Sequence, residues 1–302
     1  MKIIWPYIFW SLAIFFCLFV DRADILKIIK ISLPFSEAGI LGGMILGDKG
    51  GFTKEFYNNL IGSGLVHLVV VSGSNVMLLV GGGIEVAARW IGRRGAILMG
   101  LMIGWKYVLM VNWEIPIVRA MLLISIMYLA QLLGRKYNLV RGVILAVVIM
   151  FVADPKIMTS VSFWLSITAF LSIVLYNDVF RIKNDFINEL GRSVWVNVWI
   201  FPIIAFVFGK TSWVSPLANM MVVVLVEFIT IVGTMGSLLG LVWLTLGKYV
   251  LWLLIPSLGY LGKVVNWGGQ INSWQINFNE YMLIGYYLVL GYFLLKKHYS
   301  SR

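Results

Sequence analysis

Cysteine occurs once in this 302-residue chain, as Cys17, and histidine twice, as His67 and His298. Neither a disulfide framework nor a Cys/His zinc site can be assembled from them. Charge is scarce as well. Asp, Glu, Lys and Arg make up 12% of the residues, about half of what a soluble fold carries. Acids are the scarcer sign, 13 against 24 basic residues, for a net charge of +11. A membrane protein reaches such an excess through its cytoplasmic loops alone, so the value does not by itself demand a polyanionic partner. The full phosphate-loop pattern Gly-x-x-x-x-Gly-Lys-Ser/Thr is absent, and Gly42 to Lys49 imitates it only superficially, because Lys49 follows Asp48 rather than glycine. A Gly-x-Ser-x-Gly nucleophile elbow is missing too.

What is present is apolar. Hydrophobic residues form 61% of the chain and the mean hydropathy is +0.93, which predicts an all-α polytopic membrane bundle forming one membrane domain over residues 1–302. Stretches of spanning or near-spanning length run at 3–20, 64–84, 95–112, 116–133, 141–153, 158–176, 193–209, 213–233, 236–255 and 280–296. They amount to about ten crossings, given about 20 residues per span. The 141–153 stretch is short enough to be re-entrant. Met1 to Val20 shows no small-x-small cleavage site before Asp21-Arg22 and reads as a retained first span. The expected division is a first span and outer segment over 1–39, a core over 40–296 and a tail over 297–302.

Basic residues gather at Arg89, Arg93 and Arg94, at Arg135, Lys136 and Arg141, and at Arg181, Lys183 and Arg192, which places these loops in the cytoplasm. Lys296, Lys297 and Arg302 put the C-terminus on the same side, and an even number of crossings returns the N-terminus there. The charge-poor loops Asn112 to Glu114, Asp154 to Lys156 and Lys210 to Trp213 fall outside. Two segments read as interfacial: Asp24 to Phe35, where isoleucines alternate with Lys27 and Lys30, and Lys248 to Ile276, which carries Trp252, Tyr260, Trp267 and Trp274.

Polar groups concentrate within the 64–84 span, where His67, Ser72, Gly73, Ser74 and Asn75 interrupt valines and leucines. Such groups are expensive in hydrocarbon and face a bundle interior or a pathway. A His67–Ser72 hydrolytic dyad needs contact at about 2.6 to 3.2 Å. Five residues apart on one helix, the two side chains point about 140° away from each other; a dyad would need Gly73 to break the helix or a serine from another span, and with no Gly-x-Ser-x-Gly elbow no catalytic residue is expected. Two readings of Ser72-Gly73-Ser74 stay open: an unwound, re-entrant backbone that offers N–H groups to an anion, or a continuous helix whose small residues pack closely on a neighbour.

The run from His67 to Val76 resembles the His-Leu-Leu-x-x-Ser-Gly-x-His-Val signature of the ComEC-type competence proteins, and further motifs of that family follow in order. These are Gly47-Asp48-Lys49-x-Gly51, Pro116-x-x-Arg119-Ala120, Asp154-Pro155 with Ser160-x-x-Phe163-x-Leu165-Ser166, and Pro216-Leu217-Ala218-Asn219. Together they cover roughly residues 40–296. Asn75 stands where the family has a second histidine, and Val224 where a second proline often follows. Asp21 to Ser63 is too short for the family's oligonucleotide-binding-like domain, and its metallo-β-lactamase-like domain is not expected after Arg302.

The resemblance implies a channel component that passes single-stranded DNA across the bacterial inner membrane. His67, Ser72, Gly73, Asn75, Arg119 and Asn219 would lie along the strand's path. Partners implied are the strand, the lipid bilayer, an outer DNA receptor, a cytosolic helicase and a second copy of the chain; no cofactor or metal is expected. Arg119 has two readings, snorkelling outward beside Glu114 or gripping phosphate with its guanidinium fork. Glu85 is expected to pair with Arg89 one turn on. Glu227 falls near mid-bilayer, facing protein or water, as a relay group. The rival readings are a proton- or ion-coupled small-solute transporter using Glu227 and His67, and a scaffold without a pathway of its own.

Overall fold

A computed structural model describes residues 19–71, 73–179, 185–208, 215–271 and 279–300. The expected first span, the Lys210 to Trp213 loop, Trp274, Arg181 and Lys183 lie outside these residues. Among those described the chain is all-helical, with no strand, as the apolar periodicity predicts. Fourteen α-helices follow in order. They are α1 (Arg22–Ser32), α2 (Phe35–Leu46), α3 (Lys54–Gly62), α4 (Val66–Val69), α5 (Gly73–Val76), α6 (Gly82–Met110) and α7 (Ile115–Leu132). Then come α8 (Leu139–Ala153), α9 (Val161–Val179), α10 (Asp185–Phe208), α11 (Ser215–Val242), α12 (Leu244–Trp252), α13 (Ile255–Gln270) and α14 (Glu280–Ser300). They form two compact units: residues 1–54, 66–157 and 222–263, and residues 55–65, 158–221 and 264–302.

The first unit is built on α2, which buries nine of its 12 residues. A helix apolar on every side belongs in an interior, yet sequence length gives no sign of this one: it is short and carries Gly39, Gly42 and Gly43. Against it lies α1, with Ile25 and Ile29 buried and Lys27 and Lys30 exposed, the amphipathic pattern read from Asp24 to Phe35. Two consecutive non-glycine residues with left-handed backbone, Asn112 (φ 55°) and Trp113 (φ 56°), make the tight turn from α6 into α7.

α6 is two helices joined at Gly92, whose φ of 76° and ψ of 160° break the helical path. The break redirects Arg93, so that its Nη1 lies 2.8 Å from Glu85 Oε1. The expected Glu85–Arg89 pair is therefore replaced by Glu85–Arg93, because the pairing rule for a straight helix does not survive the kink. A second correction concerns 213–233 and 236–255, expected as two spans. The expected boundary at 233–236 falls inside one helix, α11, which continues to Val242, and the rest of the second stretch belongs to α12. The Thr230 and Ser237 hydroxyls donate to the carbonyls of Val226 and Gly233, four residues back, which satisfies these polar groups inside the helix.

The segment read as interfacial from Lys248 is also helical. α12 and α13 meet at a bend of 46° and together are long and apolar enough for one broken span or a re-entrant loop. Leu251, Leu254, Leu258 and Leu261 are buried there, while Trp252 and Tyr260 are exposed. By length and apolarity α7 and the Leu217–Val242 part of α11 can each cross a membrane, and the bent pair makes a third if it is one span. Shorter apolar helices are Phe35–Leu46, Leu139–Ala153, Val161–Tyr176 and Val194–Val207.

In the second unit α9, α10 and α14 pack together. Trp195 Nε1 of α10 donates to the Ser172 carbonyl of α9 at 3.0 Å. Pro202 sits inside α10. Having no N–H, it leaves the carbonyl four residues back, that of Val198, without its helical donor. Tyr286 of α14 supplies one, its hydroxyl donating to Val198 O at 3.0 Å, and the Tyr287 hydroxyl donates to the next carbonyl, Trp199 O, at 2.7 Å.

Candidate functional site

The helix expected over 64–84 is interrupted where the sequence places its small polar residues. α4 ends at Val69, the chain bends at Val70, and α5 begins at Gly73. After α5 the residues Met77–Gly81 form a wider π-helical turn that leads into α6. Each half of the broken segment has its own support in the first unit. α4 lies against α2, and α5 lies against α7.

The lower support is the C-terminal end of α2, where the last carbonyls of any helix have no partner of their own. Here those of Gly43, Met44 and Ile45 are taken from different directions. Gly47 closes the helix with a left-handed backbone, φ 66°, and its N–H donates to Gly43 O. Val71 N–H, in the break itself, also donates to Gly43 O at 3.1 Å. The Asn75 amide donates to Met44 O at 3.0 Å, and the Tyr107 hydroxyl of α6 donates to Ile45 O. The Gly47-Asp48-Lys49-x-Gly51 motif is therefore the turn on which the broken segment rests. Its charged side chains point to neighbouring elements: Asp48 lies 3.7 Å from Arg22 of α1, and Lys49 3.8 Å from Glu114 at the head of α7.

The second support is the Pro116-x-x-Arg119-Ala120 motif. A Cβ placed on Gly73 would stand 3.1 Å from Ala120 Cβ and 3.6 Å from the Pro116 carbonyl, so a side chain here would crowd the close approach of α5 to α7. Three of the motifs spread over residues 47–120 thus meet at one helix break.

The structure gives each expected site residue a distinct place. Gly73 lies at the α5–α7 contact. Asn75 is buried, 1% exposed, and beyond its bond to Met44 its Oδ1 has no hydrogen-bond partner among the described residues. Arg119 is 7% exposed. It does not snorkel beside Glu114, which faces Lys49 instead; α7 starts at Ile115, so Arg119 is already one turn inside the unit. Ser72 and the His67 side chain lie outside the described residues.

Asn219 belongs to the second unit, where it is buried and its Nδ2 lies 3.3 Å from Asn197 Oδ1. Glu227 lies on an exposed face of α11 with no ion pair among the described residues. Its neighbours Val224 and Phe228 are exposed with it. Sequence reasoning did not single out Tyr107, whose hydroxyl completes the α2 cap. Its only signal is a phenol within an apolar run.

Helices of membrane length, a strongly apolar composition and polar groups gathered at an interrupted helix define an all-helical membrane protein. Within that class the chain belongs to the competence protein family, whose family model matches residues 44–299. It is similar to the uncharacterized protein YcaI of Escherichia coli K12, 22% identical over 227 residues, 70% of this chain and 30% of that protein. It is similar also to ComE operon protein 3 of Bacillus subtilis strain 168, 23% identical over 220 residues, 72% of this chain and 28% of that protein. A third relative is Recombination protein 2 of Haemophilus influenzae Rd, 24% identical over 210 residues, 65% of this chain and 26% of that protein. The chain thus spans under a third of the length of these relatives. No solved structure matches it.

Proposed function

We propose that this protein is a component of the path by which single-stranded DNA crosses the bacterial inner membrane during DNA uptake. The observation that carries the reading is the meeting of three family motifs at one helix break, between the capped end of α2 and the first turns of α7. Membership of the competence family supports it. Unwound backbone in a membrane is tolerated only where protein or water covers it, so an interruption supported on both sides is suited to line a polar route. Gly73 sets its width, Asn75 and Tyr107 hold its wall to α2, and Arg119 brings a guanidinium to the same unit for phosphate. The broader arrangement is about ten crossings with both termini in the cytoplasm, an outer receptor delivering the strand and a cytosolic helicase drawing it in.

Uptake of labelled DNA by a deletion strain carrying each variant tests the proposal. Arg119→Gln and Ser72→Val are expected to lower uptake at least tenfold at normal protein levels. Normal uptake in both would remove the break as part of the route.

A further inference from the structure

The kink in α6 and the end of α7 enclose a cleft of about 400 Å³ that the family motifs do not touch. Its apolar lining comes from Ile97, Leu132 and Leu133, and its polar lining from Arg93, Arg94 and Gln131. The two arginines differ in what they have left to offer. Arg93 is fixed on three sides, by Glu85 at 2.8 Å, by Gln131 Oε1 at 3.0 Å and by the Tyr128 ring at 5.5 Å. Arg94 is exposed and has no ion pair among the described residues.

The backbone around the cleft is already satisfied. α7 ends with Gly134 in left-handed conformation, and the Gly134 and Arg135 N–H groups donate to Gln131 O and Ala130 O. The charge presented in the cleft is therefore cationic, and exposed Arg135 and Lys136 follow directly in the chain. Leu133, 72% exposed, and Leu129, 46% exposed, extend the apolar surface along α7. A soluble anion has no use for that surface.

We propose that this cleft binds one anionic phospholipid, with its phosphate at Arg94 and an acyl chain along Leu132, Leu133 and Leu129. Cation and greasy track at one helix end are complementary to that amphiphile, and basic pockets at the cytoplasmic ends of membrane helices bind such headgroups. Arg93, neutralised by Glu85, serves as the rigid wall against which Arg94 is set. The proposal rests on the chain lying in a bilayer with this end inward, not on the passage of DNA, so variants that fail in uptake leave it standing.

The detergent-purified full chain, mixed with phosphatidylglycerol or phosphatidylcholine at equal concentration and read by native mass spectrometry, tests it. Phosphatidylglycerol is expected to occupy the protein several-fold more than phosphatidylcholine. Arg94→Gln should lower that occupancy about fivefold, the worth of one basic group at a lipid surface, whereas Lys54→Gln, an equal change of charge elsewhere on the surface, should leave it unchanged. Leu133→Asn should lower it with every charge kept, and an unchanged unfolding temperature confirms that each variant is folded. Equal losses in Arg94→Gln and Lys54→Gln would overturn the proposal, reducing the binding to net charge. Displacement of the lipid by millimolar inorganic phosphate, or by a short single-stranded oligothymidylate, would overturn it in favour of a plain phosphate site or of the strand.

Discussion

At the scale of the residue, Asn75 matters because its amide joins two elements that the chain keeps 31 positions apart. Without that donor, Met44 O loses a partner in a place that water does not reach. A buried group left this way costs about 1 to 3 kcal/mol, and Asn75→Leu is expected to lose that much stability, read as the unfolding midpoint of the purified protein in detergent. Asn75→His restores the residue that the family's signature carries here and offers a ring N–H in the same place, so it should lose clearly less. Equal losses in the two variants would show that volume, not the hydrogen bond, sets the position. Gly73 is a steric companion to this bond. With Ala120 Cβ 3.1 Å from where a Cβ on Gly73 would stand, Gly73→Val is expected to push α5 off α7, an overpacking change of about 1 to 3 kcal/mol, and should lower both the midpoint and DNA uptake.

At the scale of the element, α10 and α14 illustrate how a membrane helix tolerates proline. Pro202 frees the Val198 carbonyl, and the Tyr286 hydroxyl fills the vacancy at 3.0 Å. The two should therefore be coupled in a double-mutant cycle. Tyr286→Phe alone leaves the carbonyl unpaired, but in a Pro202→Ala background the helix supplies its own N–H, and the Tyr286→Phe loss should shrink by about 0.5 kcal/mol or more. Additive losses would sink the coupling. Neither partner announces the other in the sequence, where 84 residues separate Pro202 from Tyr286. Helices with long apolar runs were legible: the stretches expected at 116–133, 141–153 and 280–296 correspond to Ile115–Leu132, Leu139–Ala153 and Glu280–Ser300. α2 was not, since 12 residues with glycines look like a loop until neighbours cover every face. The boundary between the stretches at 213–233 and 236–255 was placed too early, since α11 runs on to Val242, because apolar length alone does not reveal where a helix stops. The small polar residues from Ser72 on left a break and a continuous helix both open; the interruption between Val69 and Gly73 decides for the break, and the carbonyls that hold it, on Gly43 and Met44, come from tertiary packing.

At the scale of the whole molecule, charge decides what this chain can do unaided. Each nucleotide of a strand brings one negative phosphate, and moving one such charge inward against about 100 mV, negative inside, requires about 2.3 kcal/mol. The chain holds no full phosphate-loop pattern from which to draw that work. For the route proposed above, the expected source of that work is a cytosolic helicase or a proton-coupled process. Vesicles reconstituted with the full chain and given a fluorescent single-stranded oligonucleotide outside make this measurable. Entry should rise when a potassium gradient with valinomycin makes the interior positive and fall when the gradient is reversed, with Arg119→Gln flattening the dependence by slowing entry under both. Accumulation of the oligonucleotide inside negative vesicles with no ATPase added would mean that the chain carries its own engine. The same vesicles require a known orientation, which labelling provides: in a Cys17→Ser background, Trp113→Cys should react with an impermeant maleimide from outside whole cells, and Lys136→Cys only once the membrane is opened. The order follows from the clustering of Arg135, Lys136 and Arg141, and the reverse pattern would turn the molecule over and place the anionic-lipid cleft in the outer leaflet.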